Sequence, residues 1–142
     1  MRYKVWQLQN VRNEINCITK VITCYDLEMN VIGKYEGTSK SPHIEDSIWN
    51  MCNVTEWDDN YKEGNPIQEN GITLYPTKFF KGFASSDVVV ETRNNLYVAL
   101  PFGWKKVRSL HEAFKIIMQN GKYKWNNVKN KEEILFRTIL NC

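Results

Sequence analysis

The sequence predicts an α+β fold in which an antiparallel sheet, an N-terminal meander plus a later hairpin, is covered by two or three helices. Three observations carry this expectation. Residues 3–8, 14–25 and 31–37 are rich in Ile, Val, Thr and aromatics spaced two apart, the period of a strand with one face inward. "DVVVETRNNLYVALP", Asp87 to Pro101, reads as two strands about a polar turn at Arg93-Asn94-Asn95. Ser109-Leu110-His111-Glu112 is an S-x-x-E capping box, followed by Ala113, Phe114, Ile117 and Met118 at helical spacing.

The elements follow in order. "RYKVWQL" places Tyr3, Val5 and Gln7 on one side of a first strand and Lys4, Trp6 and Leu8 on the other. "EINCITKVITCY" is a longer second strand, Asp26 to Asn30 supply turn residues, and "VIGKYEG" returns as the third strand of the meander. Pro42 interrupts regular structure before a short helix through Ile44, Ile48, Met51 and Cys52, capped by Ser41 or Ser47. "DDNYKEGNPIQENG" reads as a loop, and "ITLYP" and "TKFFKGF" as short β pieces divided by Pro76. After the hairpin, a loop over 103–108 leads into a helix over 109–120 that Asn120-Gly121 ends. "KYKWNNVK" is a strand or an extended arm, and a terminal helix over 130–140 starts at Asn130 as N-cap.

A chain of 142 residues and 16.8 kDa fits one domain over 1–142, and 42% hydrophobic residues against 25% charged ones is enough to build its core. The N-terminus alternates charged and apolar residues, and nowhere does the chain approach the ~20 apolar residues a membrane helix needs. The expectation is a soluble cytoplasmic protein with no membrane partner. Cys17, Cys24, Cys52 and Cys142 form no C-x-x-C pair, and His43 and His111 are the two histidines, so neither a zinc site nor any other metal or cofactor is expected and the thiols read as reduced. The abundance of Asn, Lys and Ile fits an AT-rich genome, such as that of a low-GC bacterium, its phage or another mobile element.

The net charge of +3 is unevenly spread: +2 over residues 1–40, −5 over 41–80 and +6 over 81–142. Such segregation favours a charged face for a partner. In "LPFGWKKVRSLHEAF", Lys105, Lys106 and Arg108 stand just ahead of a helix start, where the unpaired N–H groups already carry partial positive charge. Cations and backbone dipole together suit an anion, and Trp104 offers a ring for a base. "GKYKWNNVKNK" repeats the combination with Lys122, Lys124 and Trp125, and basic residues interleaved with aromatics suit single-stranded nucleic acid. The candidate binding residues are therefore Trp104, Lys105, Lys106, Arg108, Lys122, Lys124 and Trp125. The function expected is binding of nucleic acid, a nucleotide or a nucleoprotein partner, in the manner of a phage-encoded inhibitor of a host nucleic-acid enzyme.

Two alternatives belong to other classes. Asp87 and Glu91 share a strand face and, with Asp58 or Asp59, would hold Mg²⁺ for a small nuclease or phosphoesterase; Glu91-Thr92-Arg93 resembles, over three residues, the E-x-K element of restriction-type nuclease cores. The acidic middle, with Glu45, Asp46, Glu56, Asp58, Asp59, Glu63 and Glu69 around Trp49 and Trp57, would instead serve a protein-binding adaptor or an oligomer subunit. The sequence leans away from an enzyme, and no nucleophile stands at a recognisable offset from either histidine.

Overall fold

Two hydrophobic layers lie on opposite faces of one sheet, and the alternation of side chains along the strands assigns residues to each. The computed structural model describes residues 2–15, 18–19, 22–37, 43–53, 65–82, 84, 86–120, 128–131 and 133. In chain order these give β1 (Tyr3–Ile15), β2 (Ile22–Gly37), α1 (Ile44–Met51), β3 (Ile67–Glu69), β4 (Ile72–Pro76), β5 (Val88–Glu91), β6 (Leu96–Leu100), β7 (Gly103–Val107) and α2 (Leu110–Gln119). The described strands form an antiparallel sheet in the order β3-β4-β2-β1-β5-β6-β7. The chain is thus α+β with an antiparallel sheet.

On one face, Leu110, Ala113, Phe114 and Ile117 of α2 cover Trp6, Leu8, Leu27, Val89, Val98 and Val107. On the other, Ile48 and Met51 of α1 join Val5, Ile32, Tyr35, Leu74, Val88 and Val90. Since both faces of β5 are covered, Val88, Val89 and Val90 are all buried, and the strand reads as a continuous apolar run rather than an alternating one.

β1 and β2 form a long two-stranded hairpin, not a three-stranded meander. Ile15 ends β1, Ile22 begins β2 and the two pair directly, with Ile18 and Thr19 in the turn between them. β2 then runs straight through Asp26 to Asn30, where turn residues had suggested a reversal. Leu27, fully buried under α2, holds this stretch in place. A register shift between Asn10 and Arg12 absorbs the irregularity, and Asn30 Nδ2 donates to Gln9 Oε1 across the pair at 2.9 Å. Burial of one leucine outweighs the local preference of its neighbours.

Three further segments differ from expectation. The stretch read as a loop contains β3, paired with β4 through Asn70-Gly71, whose φ values of 49° and 82° are the left-handed pair of a tight hairpin turn. Thr77 to Phe80 is a turn rather than a strand: the Thr77 N–H donates to Ile32 O at 2.9 Å, and the Phe80 N–H returns to Thr77 O at 3.1 Å. Residues 103–107 form an edge strand, β7, instead of a loop.

The helices match more closely. α1 starts at Ile44 with His43 as N-cap and no side-chain cap, so neither proposed serine serves: Ser47 lies inside the helix and Ser41 outside the described residues. α2 carries the predicted Ser109 cap, Oγ accepting the Glu112 N–H at 3.1 Å, while the return bond of the capping box is shifted by one residue: Glu112 Oε2 accepts the N–H of Arg108, not of Ser109, at 2.8 Å. Beyond Lys131 and Glu133 the expected terminal helix lies outside the described residues. Asn130 stands directly before the helical Lys131, and its side chain binds β2: Oδ1 accepts the Leu27 N–H at 3.0 Å, and Nδ2 donates to Leu27 O at 2.8 Å.

Candidate anion-binding site

The β6–β7 register sets Leu96 opposite Val107 and Leu100 opposite Gly103. The turn between β5 and β6 and the exit from β7 into α2 therefore lie at the same end of the sheet. There Arg93 from the turn meets Lys106 and Arg108 from β7 and its exit, around an open hollow of about 710 Å³ whose walls include Tyr3, Trp6 and Leu96. All three cations are exposed, and Glu91, half-buried, is the single carboxylate among the lining residues. Three positive charges against one negative leave the hollow an attractive place for an anion.

The backbone that carries Arg93 is fixed on both sides. The Thr92 N–H donates to Asn95 O at 2.8 Å and the Thr92 hydroxyl to the same oxygen at 3.2 Å, closing the turn. The Tyr35 hydroxyl donates to Glu91 O at 2.6 Å from inside the α1-side core. Burial, reinforced by Tyr3, Glu91 and Glu45, pushes the Tyr35 phenol well above its usual range, so it stays a donor.

Only some of the residues expected to act together do meet. Lys105 and Lys106 are neighbours on β7 and so point to opposite faces, Lys105 opposite Val98 on the α2 side and Lys106 opposite Tyr97. Lys106 and Arg108 reach the hollow. Trp104 does not line it: half-buried against the α1-side core, its indole N–H donates to Asp46 Oδ1 at 2.6 Å, and it lines a second, smaller cavity. Lys122, Lys124 and Trp125 lie outside the described residues. Of the N–H groups at the helix start, that of Glu112 is already bound by Ser109 Oγ.

Arg93 is the member that sequence reasoning left out, having been read as a turn residue. Its signal lay in Pro101-Phe102-Gly103: recognised as a tight turn, this stretch folds 103–107 back along β6 and brings residue 108 to the Arg93 end.

The other candidates are dispersed. Asp87 is buried and accepts from Gln7 Nε2 at 3.4 Å, while Glu91 faces the hollow; among the described residues no group of three or more His, Cys, Asp or Glu is placed to hold a metal ion. Asp58 and Asp59 lie outside the described residues. His43 is exposed, its Nδ1 3.5 Å from Glu45 Oε1, and His111 is half-buried with no partner for Nδ1 among the described residues. Burial pushes the Cys52 thiol up to about 12, the opposite of what a thiolate nucleophile requires. Of the acidic middle, Glu45 is buried, Asp46 holds Trp104 and Glu69 is exposed, with Glu56, Asp58, Asp59 and Glu63 outside the described residues.

Comparison with protein-family models, with curated proteins and with solved structures finds no match for this chain. No helix among the described residues is long and apolar enough to cross a membrane.

Proposed function

We propose that this chain is a small binding protein that takes hold of phosphate groups, with single-stranded nucleic acid or a nucleotide as the ligand class. The observation that carries this reading is the convergence of Arg93 from the β5–β6 turn with Lys106 and Arg108 from β7 and its exit on one open hollow. Its volume of about 710 Å³ falls within the ~300–1,000 Å³ of small-ligand pockets. Guanidinium groups match phosphate oxygens two bonds at a time, and Lys106 adds a mobile charge. Lys105 extends the positive edge across β7, and the basic and aromatic residues Lys122, Lys124 and Trp125 are assigned to binding by their sequence pattern. A phage-encoded inhibitor of a host nucleic-acid enzyme would use such a surface. Nothing comparable favours the Mg²⁺-dependent enzyme, since Asp87 is committed to the interior.

The test is fluorescence anisotropy of labelled single-stranded DNA and RNA oligonucleotides at a series of salt concentrations. Binding should weaken linearly in log–log form, and Arg93→Ala/Lys106→Ala/Arg108→Ala should flatten the slope by about 0.7 for each lost phosphate contact, roughly 2 in all. An unchanged slope, or no binding by the wild-type chain at low salt, overturns the reading.

A further inference from the structure

We propose that the second cavity, between α1 and the β6–β7 turn, receives one cationic side chain, a lysine ammonium or an arginine guanidinium, presented by a partner protein. Asp46, Trp49 and Trp104 line it, with Ala99, Pro101 and Gly103 among the rest of the wall. Asp46 and Trp49 stand three residues apart on α1 and so share one helix face. Trp104 reaches them from β7. The two indoles thus come from separate elements that nothing in the local sequence links.

Charge selects the ligand. No lysine or arginine is among the lining residues, so the exposed Asp46 carboxylate sets the sign of this cavity, the reverse of the hollow at the far end of β7. Oδ1 of Asp46 takes the Trp104 indole N–H at 2.6 Å, which orients both groups. An ionised carboxylate accepts about four hydrogen bonds, so this one contact leaves it able to receive an N–H from a ligand. Indole is the best of the aromatic side chains at attracting a cation to its face. Carboxylate and indoles around one cavity reward a positive group with an apolar stem and repel an anion.

Size and surroundings narrow the ligand further. At about 260 Å³ the cavity is smaller than the ~300–1,000 Å³ that cofactors and drug-sized ligands occupy, and suits a single side chain. Beside it, at the tip of the β6–β7 turn, Phe102 is 87% exposed. A large apolar ring left in water next to a charged cavity is the pattern of an anchor pocket with an apolar rim, which a partner's neighbouring residue would cover. That ring is why the cation is assigned to a polypeptide and not to a free amine.

The inference is independent of the phosphate-binding reading and has its own test. The full chain, labelled with ¹⁵N at its tryptophan indoles, is titrated with Nα-acetyl-arginine amide, Nα-acetyl-lysine amide and the neutral Nα-acetyl-norleucine amide. The Trp49 and Trp104 indole signals should move with the two cationic probes, with Kd of about 1–10 mM, and not with the neutral one. Asp46→Asn keeps an oxygen for the Trp104 N–H and removes the charge; it should weaken binding about fivefold or more while leaving the unfolding midpoint in place. Should that midpoint move, Trp49→Leu, which spares the Asp46–Trp104 bond, must show the same weakening. Equal binding of the neutral probe, no shift with any probe at about 50 mM, or undiminished binding by both variants overturns the proposal.

Discussion

Replacing Asn130 tests whether a single side chain stands in for a missing strand. β4 pairs with β2 only from Gly33 to Gly37, which leaves the outward edge of β2 at Leu27 beyond its reach. Asn130 fills that place, accepting the Leu27 N–H at 3.0 Å and donating to Leu27 O at 2.8 Å. Leu27 is 0% exposed, so Asn130→Ala strands a donor and an acceptor that water reaches poorly. At about 1 kcal/mol for each hydrogen bond, and up to about 2 for a buried group left unpaired, the loss is roughly 2–4 kcal/mol. With about 4 °C per kcal/mol for a chain of this size, the thermal midpoint should fall by roughly 8–16 °C. Asn130→Asp is the sharper probe. Its carboxylate still accepts the N–H, but an oxygen now faces the Leu27 carbonyl, so at neutral pH it should be at least as destabilising as alanine. Protonation restores the donor. The folded state therefore holds that proton more tightly than the unfolded one, and the deficit should shrink as pH falls and return as pH rises. Circular dichroism melts at pH 7 and in acid, each against wild type, supply the measurement. An Asn130→Ala variant within about 0.5 kcal/mol of wild type, or an Asn130→Asp deficit that acid leaves unchanged, would refute the reasoning.

Two other predictions concern the backbone and a thiol. Gly37 has φ +123° and a Cβ there would strike the Gly71 backbone oxygen, whereas Gly103, at φ +145°, has open space around it. Gly37→Ala should thus cost at least about 3 kcal/mol in urea unfolding and Gly103→Ala only about 1, and equal losses would contradict this assignment. For Cys52, burial raises the folded thiol from its ordinary 9.0 to about 12, so the unfolded chain surrenders this proton first. Its contribution to stability is whole below pH 9.0 and drains away as pH climbs toward about 12; Cys52→Ala should flatten that alkaline limb of the urea midpoint, and iodoacetamide should label Cys52 only as the protein unfolds.

What the sequence makes legible is local. The Ser109 cap, the β5–β6 hairpin and the buried stripe of α2 all depend on residues within a few positions of one another, and all appear where the pattern puts them. β2 was misread because Asp26 and Asn30 announce a turn, while the forces that overrule them, the burial of Leu27 and its pairing with Asn130, come from a distant helix and a residue 103 positions away. The candidate site shows the same division. Lys106 and Arg108 stand out as basic residues before a helix, but Arg93 joins them only through the β6–β7 register. Trp104 was paired with the wrong neighbours for a related reason: as a loop residue it shares a side with Lys105, and as a strand residue it does not.

The placement of β1 in the middle of the sheet bears on how this chain emerges during synthesis. Its two flanking partners are made at very different times: β2 follows almost at once, while Val88–Val90, which pair with Gln7, Trp6 and Val5, come some eighty residues later. At translation rates of about 5–20 residues per second, the far edge of β1 waits roughly 4–16 s for its mate. For that interval the nascent hairpin offers a bare ribbon of amides and the Trp6 ring to whatever passes. Chaperone demand on the ribosome should therefore peak before β5 appears and collapse once it docks.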